Sequence, residues 1–206
     1  MRLTLHTFLT LDGVMQAPGG PEEDPSGGFG YGGWSVPYGD QESGAAITGY
    51  FDHASAFLLG RKTYQIFAGY WPRVTDPGNP VASQLNALPK YVASATLSAV
   101  DWNNSQLLGG DVVTEVGKLK ERPGGELQVH GSGELAQALI EAGLVDEYRL
   151  MFLPVHLGSG QKLFRDGLRA AALRLIKSSV TSTGVIIASY GPGGPVRTGS
   201  YDPDEA

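Results

Sequence analysis

The 206-residue sequence contains no cysteine. That excludes disulfides, thiolate nucleophiles and cysteine-ligated metals, and it fits a reducing compartment. The four histidines, His6, His53, His130 and His156, show no paired spacing of the kind a metal site requires, so no metal is expected. Positive charge is scarce as well: 15 Lys and Arg stand against 21 Asp and Glu, and no basic cluster interrupts the acidic balance. Nucleic acid and anionic membrane surfaces are therefore disfavoured as partners. No apolar run approaches the roughly 20 residues of a membrane helix. The N-terminal residues alternate like a strand and lack the apolar core of a signal peptide, so a soluble, cytoplasmic protein is expected. A Walker phosphate loop is missing, and Gly131-Ser132-Gly133 is too short for a nucleophile elbow.

Glycine, by contrast, is abundant at 30 residues, and its placement is informative. Leu127 and Val129 form a short extended run, Gly131-Ser132-Gly133 breaks it, and Leu135, Ala138, Leu139 and Ala142 recur on one helical face. A glycine turn that opens a helix leaves backbone N–H groups unpaired at the positive end of the dipole, which suits a phosphate or pyrophosphate. Gly131, Gly133 and Ala136 satisfy the dinucleotide pattern G-x-G-x-x-A. That fingerprint also requires an acid at the far end of the next strand to hold a ribose hydroxyl. Here Asp146 and Glu147 stand at its start instead, so a standard NAD-type unit is disfavoured while phosphate binding is not. The segment Phe57-Leu58-Leu59-Gly60-Arg61-Lys62-Thr63-Tyr64 repeats the logic, with two cations and a hydroxyl in the first helical turn. The dipole disfavours cations there, and an anionic ligand would account for them. A third glycine-rich stretch, 17–39, matches G-x-G-x-x-G at Gly28, Gly30 and Gly33 but has neither strand before it nor periodic helix after it. It reads as a long loop, either a lid over a site or plain surface.

Strands are expected at 2–9, 54–59, 90–93, 106–108, 126–130, 147–155, 173–178 and 184–190, and helices at 41–53, 61–68 and 111–120 and after Gly133. The stretch 71–80 carries three prolines and reads as loop. Strands and helices alternate for three quarters of the chain, then strands alone finish it. That order predicts a single α/β domain over 1–190, with a mainly parallel sheet flanked by helices and an antiparallel hairpin at the end. Residues 191–206 read as a mobile tail.

The ordered motifs LLGRKTYQIF (58–67), PKYVASATL (89–97), ELQVHGSGELAQALI (126–140) and LVDEYRLMFLPVHLGSGQKLF (144–164), with FLTLDGV (8–14) at the start, resemble the dihydrofolate-reductase-like family. The similarity is to the branch that holds the reductase domain of bacterial riboflavin biosynthesis. It spans about residues 2–190 and implies a three-layer dihydrofolate-reductase-like fold and an NADPH-dependent reductase. By that resemblance Gly60, Arg61, Lys62 and Thr63 would bind cofactor phosphates, and Ser94 and Thr96 would flank the adenosine. Gly131, Ser132 and Gly133 would hold the pyrophosphate, with Glu134 among the cofactor contacts. Cations for a 2′-phosphate, and no well-placed carboxylate for a 2′-hydroxyl, favour NADPH over NADH.

The segment Trp34-Ser35-Val36-Pro37-Tyr38-Gly39-Asp40 resembles the pterin-binding W-x-x-P segment and acid, with one extra residue before the acid. Asp40 and Asp12 are the candidate catalytic carboxylates, although Asp40 before a helix and Asp12 in an Asp-Gly turn are also ordinary structural positions. Trp34, Tyr38 and His130 are the candidate substrate contacts, against the plainer readings of a packed loop and a structural histidine. Departures from dihydrofolate reductases matter: Gly131-Ser132 stands where two glycines joined by a cis peptide are typical, and Ala136 replaces an aromatic residue. The expected acceptor is a small flat heterocycle, pterin-like or a riboflavin precursor, and relatives imply a homodimer. The alternatives are an NADP(H)-binding module or sensor without turnover, or glycine turns that are purely architectural.

Overall fold

The computed structural model describes residues 1–201. Its strands are β1 (Arg2–Thr10), β2 (Ala54–Gly60), β3 (Lys90–Ala93), β4 (Ser105–Leu108), β5 (Glu126–His130), β6 (Glu147–Leu153), β7 (Ala172–Val180) and β8 (Ile186–Gly194). The α-helices are α1 (Gln41–Phe51), α2 (Arg61–Tyr70), α3 (Pro80–Ala87), α4 (Val112–Glu121) and α5 (Gly133–Glu141). All eight strands join one sheet in the order β4-β3-β2-β5-β1-β6-β8-β7. Pairing is parallel from β4 to β6, then antiparallel at β6–β8 and β8–β7. The expected parallel sheet with a closing hairpin is therefore present.

Strand periodicity explains the layering. Leu3 and Leu5 of β1, Leu58 of β2 and Leu127 and Val129 of β5 share a core with Val116 and Leu119 of α4 and Leu135 and Leu139 of α5. A second core joins Phe57 and Leu59 of β2 with Phe51 of α1 and Leu85 of α3. Each such side chain, fully buried, contributes about 1.5–3 kcal/mol. The central strands are covered on both faces, which is why β1 is almost continuously buried rather than alternating.

Two local expectations are corrected. The stretch 71–80 is not all loop: Trp71–Arg73 forms a 3-10 turn, and Pro80 opens α3, where Asn79 accepts from the Ala82 N–H at 3.0 Å. Proline is at home in a first helical turn because its missing N–H has no partner to lose there. Strand β8 runs on to Gly194, with Pro192 opposite Leu173 and Gly194 opposite Ala172, so 191–194 belong to the sheet. Residues 202–206 of the expected tail lie outside the described residues. Loop 17–39 carries only two short 3-10 turns and is anchored by the buried side chains of Phe29 and Trp34. Among the described residues no helix is long and apolar enough to cross a membrane.

Candidate active site

Strands β2 and β5 are neighbours, and both run at their carboxyl ends directly into helices, α2 and α5. The two turns are tied together. The Gly60 N–H donates to Ser132 Oγ at 2.8 Å, and the same hydroxyl donates to Thr63 Oγ1 at 2.7 Å. A Cβ on Gly60 would stand 2.9 Å from Ser132 Cβ, so the close approach requires glycine. Gly131 and Ser132 both adopt positive φ, 63° and 62°, and the peptide between them is trans.

Helix capping separates these two helices from the rest. Helices α1, α3 and α4 are each closed by a side chain, from Asp40, Asn79 and Asp111. Helix α2 begins at Gly60 and α5 at Ser132 with no side-chain cap, because the Ser132 hydroxyl is already spent on Gly60 and Thr63. Both open starts face one cavity of about 560 Å³, which the start of α4 also borders. Its lining includes Gly60, Arg61, Lys62, Ser94, Thr96, Ser132, Gly133 and Glu134. Uncapped N–H groups at two dipole ends, with Arg61 beside them, make an anion-binding wall.

A second cavity of about 460 Å³ lies deeper, over the polar face of β1, β5 and β6. The two cavities share Lys62, Ser132, Gly133 and Gln161 on their linings. Loop 17–39 walls the inner one with Ala17, Pro18, Gly19, Glu23, Asp24 and Ser35. Lys62 clamps that loop, bonding Asp24 at 2.9 Å and Ser26 at 2.8 Å. Glu23 turns its carboxylate back onto the Gly19 and Gly20 N–H groups, and burial raises its pKa.

Under the inner cavity runs a buried polar ladder. Arg149 donates through Nε to Glu147 at 2.9 Å and through Nη1 to Glu126 at 2.8 Å. Burial opposes its charge, but the bonds to these two carboxylates outweigh that and keep the guanidinium protonated. Gln128 Nε2 donates to the Tyr50 carbonyl and to Glu126, which turns Oε1 toward His130 Nε2 at 3.1 Å. His130 therefore carries its proton on Nε2 and a lone pair on Nδ1. His6 stacks on His130 with ring centroids 4.6 Å apart and engages Thr4 Oγ1 through Nε2. His6 Nδ1 is buried without a partner among the described residues. Burial, reinforced by Arg149, lowers the pKa of His130 from 6.5 to about 3. Burial, His130 and Arg149 together also push that of His6 well below its ordinary value.

The sequence-derived candidates divide accordingly. Gly60, Arg61, Lys62, Ser94, Thr96, Ser132, Gly133 and Glu134 meet at the outer cavity, and Thr63, His130 and Gly131 at the inner one. Asp40 and Asp12 line neither. Asp40 caps α1 by accepting from the Ser43 N–H at 2.8 Å, and its other oxygen accepts from Ser182 and Thr183 beyond β7. Asp12 accepts from the Thr10 hydroxyl and the Leu157 and Gly158 N–H groups, and the Thr10 bond foremost holds its pKa well below the carboxylate norm. Both carboxylates are thus occupied in fastening loops. Trp34 and Tyr38 are not brought to the cavity either. The Trp34 indole donates to the Gln16 carbonyl at 2.7 Å inside an apolar cluster, against which Tyr38 packs. The aromatic side chains that line the inner cavity are instead Phe8, Tyr50, Phe51, Phe67 and Trp71. Sequence reasoning missed His6 and Arg149. The available signal was polar residues at every second position of strands too apolar to be exposed: Thr4 and His6, Gln128 and His130, Glu147 and Arg149.

A parallel sheet with a C-terminal antiparallel hairpin and a split cavity at its strand ends defines a dihydrofolate-reductase-like α/β protein. Residues 2–187 match the model of the RibD C-terminal domain, and the chain belongs to that family. Uncharacterized protein YyaP of Bacillus subtilis (strain 168) is 29% identical over 195 residues, covering 92% of this chain and 94% of that one. Among solved structures, a Shewanella sp. PV-4 protein provisionally named for riboflavin biosynthesis matches with TM-score 0.70 and 19% identity, covering 93% of this chain and 99% of that one. A dihydrofolate reductase from Enterococcus faecalis, complexed with NADP(H), matches with TM-score 0.59 and 10% identity over 93% of this chain and 96% of that one.

Proposed function

We propose that this protein is an NADPH-dependent reductase that delivers hydride to a small planar acceptor. The observation that carries this reading is the pair of uncapped helix starts, α2 and α5, opening together into the outer cavity. Their N–H groups would take the pyrophosphate, Arg61 the 2′-phosphate, and Ser94 and Thr96 the adenosine side. Glu134 in the first turn of α5 would accept from a ribose hydroxyl. The fit is supported by the donor set: free N–H groups and a cation on one wall suit a phosphorylated dinucleotide. When bound, the cofactor supplies the hydride. Ser132, Gly133 and Gln161, among the residues shared by the two cavities, lie where its nicotinamide end would pass inward, and loop 17–39 would exclude water from the acceptor. Family resemblance to reductases supports the same assignment, as does the solved relative named as a complex with NADP(H).

The test is Arg61→Ala. Loss of the cation facing a 2′-phosphate weakens NADPH binding by about 10- to 100-fold and leaves NADH binding nearly unchanged. Equal effects on both cofactors, or none, would count against the placement. The reading includes a cytoplasmic homodimer. Strand β7 closes the sheet as an open edge, with Leu175, Ile176 and Val180 exposed and Ile186 beside them, and a second copy is the occupant such an edge suits.

A further inference from the structure

Resting on the reductase reading, we propose that the acceptor in the inner cavity is an uncharged planar carbonyl compound, without phosphate or carboxylate, oriented by His6. Three observations carry this. First, the charges on the lining are already matched. Arg149 is held by Glu126 and Glu147, and Lys62 by Asp24. No described lining cation is left to bind a phosphate or carboxylate deep in the cavity. Glu23, the remaining lining acid, is committed to two backbone N–H groups, so its carboxylate is not free to pair with a cationic ring.

Second, much of the remaining wall is aromatic and aliphatic, from Phe8, Ile47, Phe51, Ile66, Phe67 and Trp71. They reward a flat apolar body and penalise a charge that must shed its water. Third, His6 Nδ1 is a buried hydrogen-bonding atom with no partner among the described residues, in a ring that lines the cavity and is 7% exposed. Leaving such an atom unpaired carries a desolvation penalty that a guest would remove by bonding to it. With the Thr4 hydroxyl as donor to His6 Nε2, the His6 proton would stand on Nδ1, ready for a guest carbonyl. Stacking on His130, whose tautomer is fixed through Gln128, holds the imidazole in plane.

The experiment is a titration of the full chain with three ligands on one frame: coumarin, coumarin-3-carboxylate and 7-(trimethylammonio)coumarin. Quenching of the lining Trp71 reports occupancy without turnover, and NADPH binding is measured separately on the same sample. Coumarin is expected to bind at least about tenfold tighter than either charged analogue. His6→Phe, which keeps a flat ring, should weaken coumarin about fivefold while the melting temperature stays within a few degrees. His6→Gln, which restores a donor, should recover part of the loss and covers the case in which the phenylalanine variant is unstable. Equal or tighter binding of the carboxylate or the cation would overturn the proposal, as would indifference to His6 substitution. Failure of NADPH to bind while coumarin discriminates as expected would instead sink the reductase reading.

Discussion

His6 and His130 are the side chains whose chemistry departs furthest from that of an exposed residue. Both are neutral in the fold, His130 down to about pH 3, whereas each titrates near 6.5 once unfolded. Between those values the unfolded chain binds more protons than the folded one, so stability rises with pH and is lost as pH falls below about 6.5. Each histidine should add up to about tenfold per pH unit to the unfolding constant in that window. Urea melts from pH 7 to pH 4 check this, and His130→Phe should flatten the acid limb. A slope unchanged by the substitution would show that His130 is not buried neutral. At this scale the sequence marked the residues that gather at the outer cavity well, since glycine turns and first-turn cations are local signals. It marked the inner cavity poorly, because Arg149 and Glu126 meet only after β5, β1 and β6 lie side by side.

Elements divide the candidate carboxylates from the candidate cofactor wall. Asp40 joins α1 to the turn between β7 and β8, and the Ser43 N–H foremost keeps it ionised far below the carboxylate norm. Asp40→Ala should therefore lower the melting temperature by roughly 3–6 °C through loss of the cap, with NADPH affinity unchanged. A tenfold loss of cofactor affinity at unchanged stability would restore it to the site. The Asp before a helix was legible in sequence as a cap, and the same position fitted the family acid, so only three-dimensional placement separates the roles. Helix α3 was hidden by its opening proline, and the end of β8 by glycines and prolines, tolerated where the strand has run past β6 and pairs with β7 alone. The alternation of strands and helices, set by burial on two faces, was legible throughout.

For the whole molecule, the sheet has a shielded interior and one apolar edge. If β7 pairs with its copy across a two-fold axis, the protein sediments at about twice its 21.7 kDa chain mass. Ile176→Asp with Val180→Asp should then give a monomer that still binds NADPH, because both positions lie outside the two cavities. A monomer for the unmodified chain at micromolar concentration would remove the dimer from the account. The charge balance bears on the proposed cofactor: a net charge of −6 would repel a polyanion at long range, so its binding would have to rely on the local wall of Arg61 and the two helix starts.

That wall is the centre of the account, and an equilibrium titration of the unmodified protein with NADPH and NADH tests it most directly, followed by quenching of tryptophan fluorescence. One NADPH per chain at micromolar affinity, with NADH at least about tenfold weaker, is the predicted result. Absence of binding by either dinucleotide would contradict it and leave the open helix starts as architecture alone.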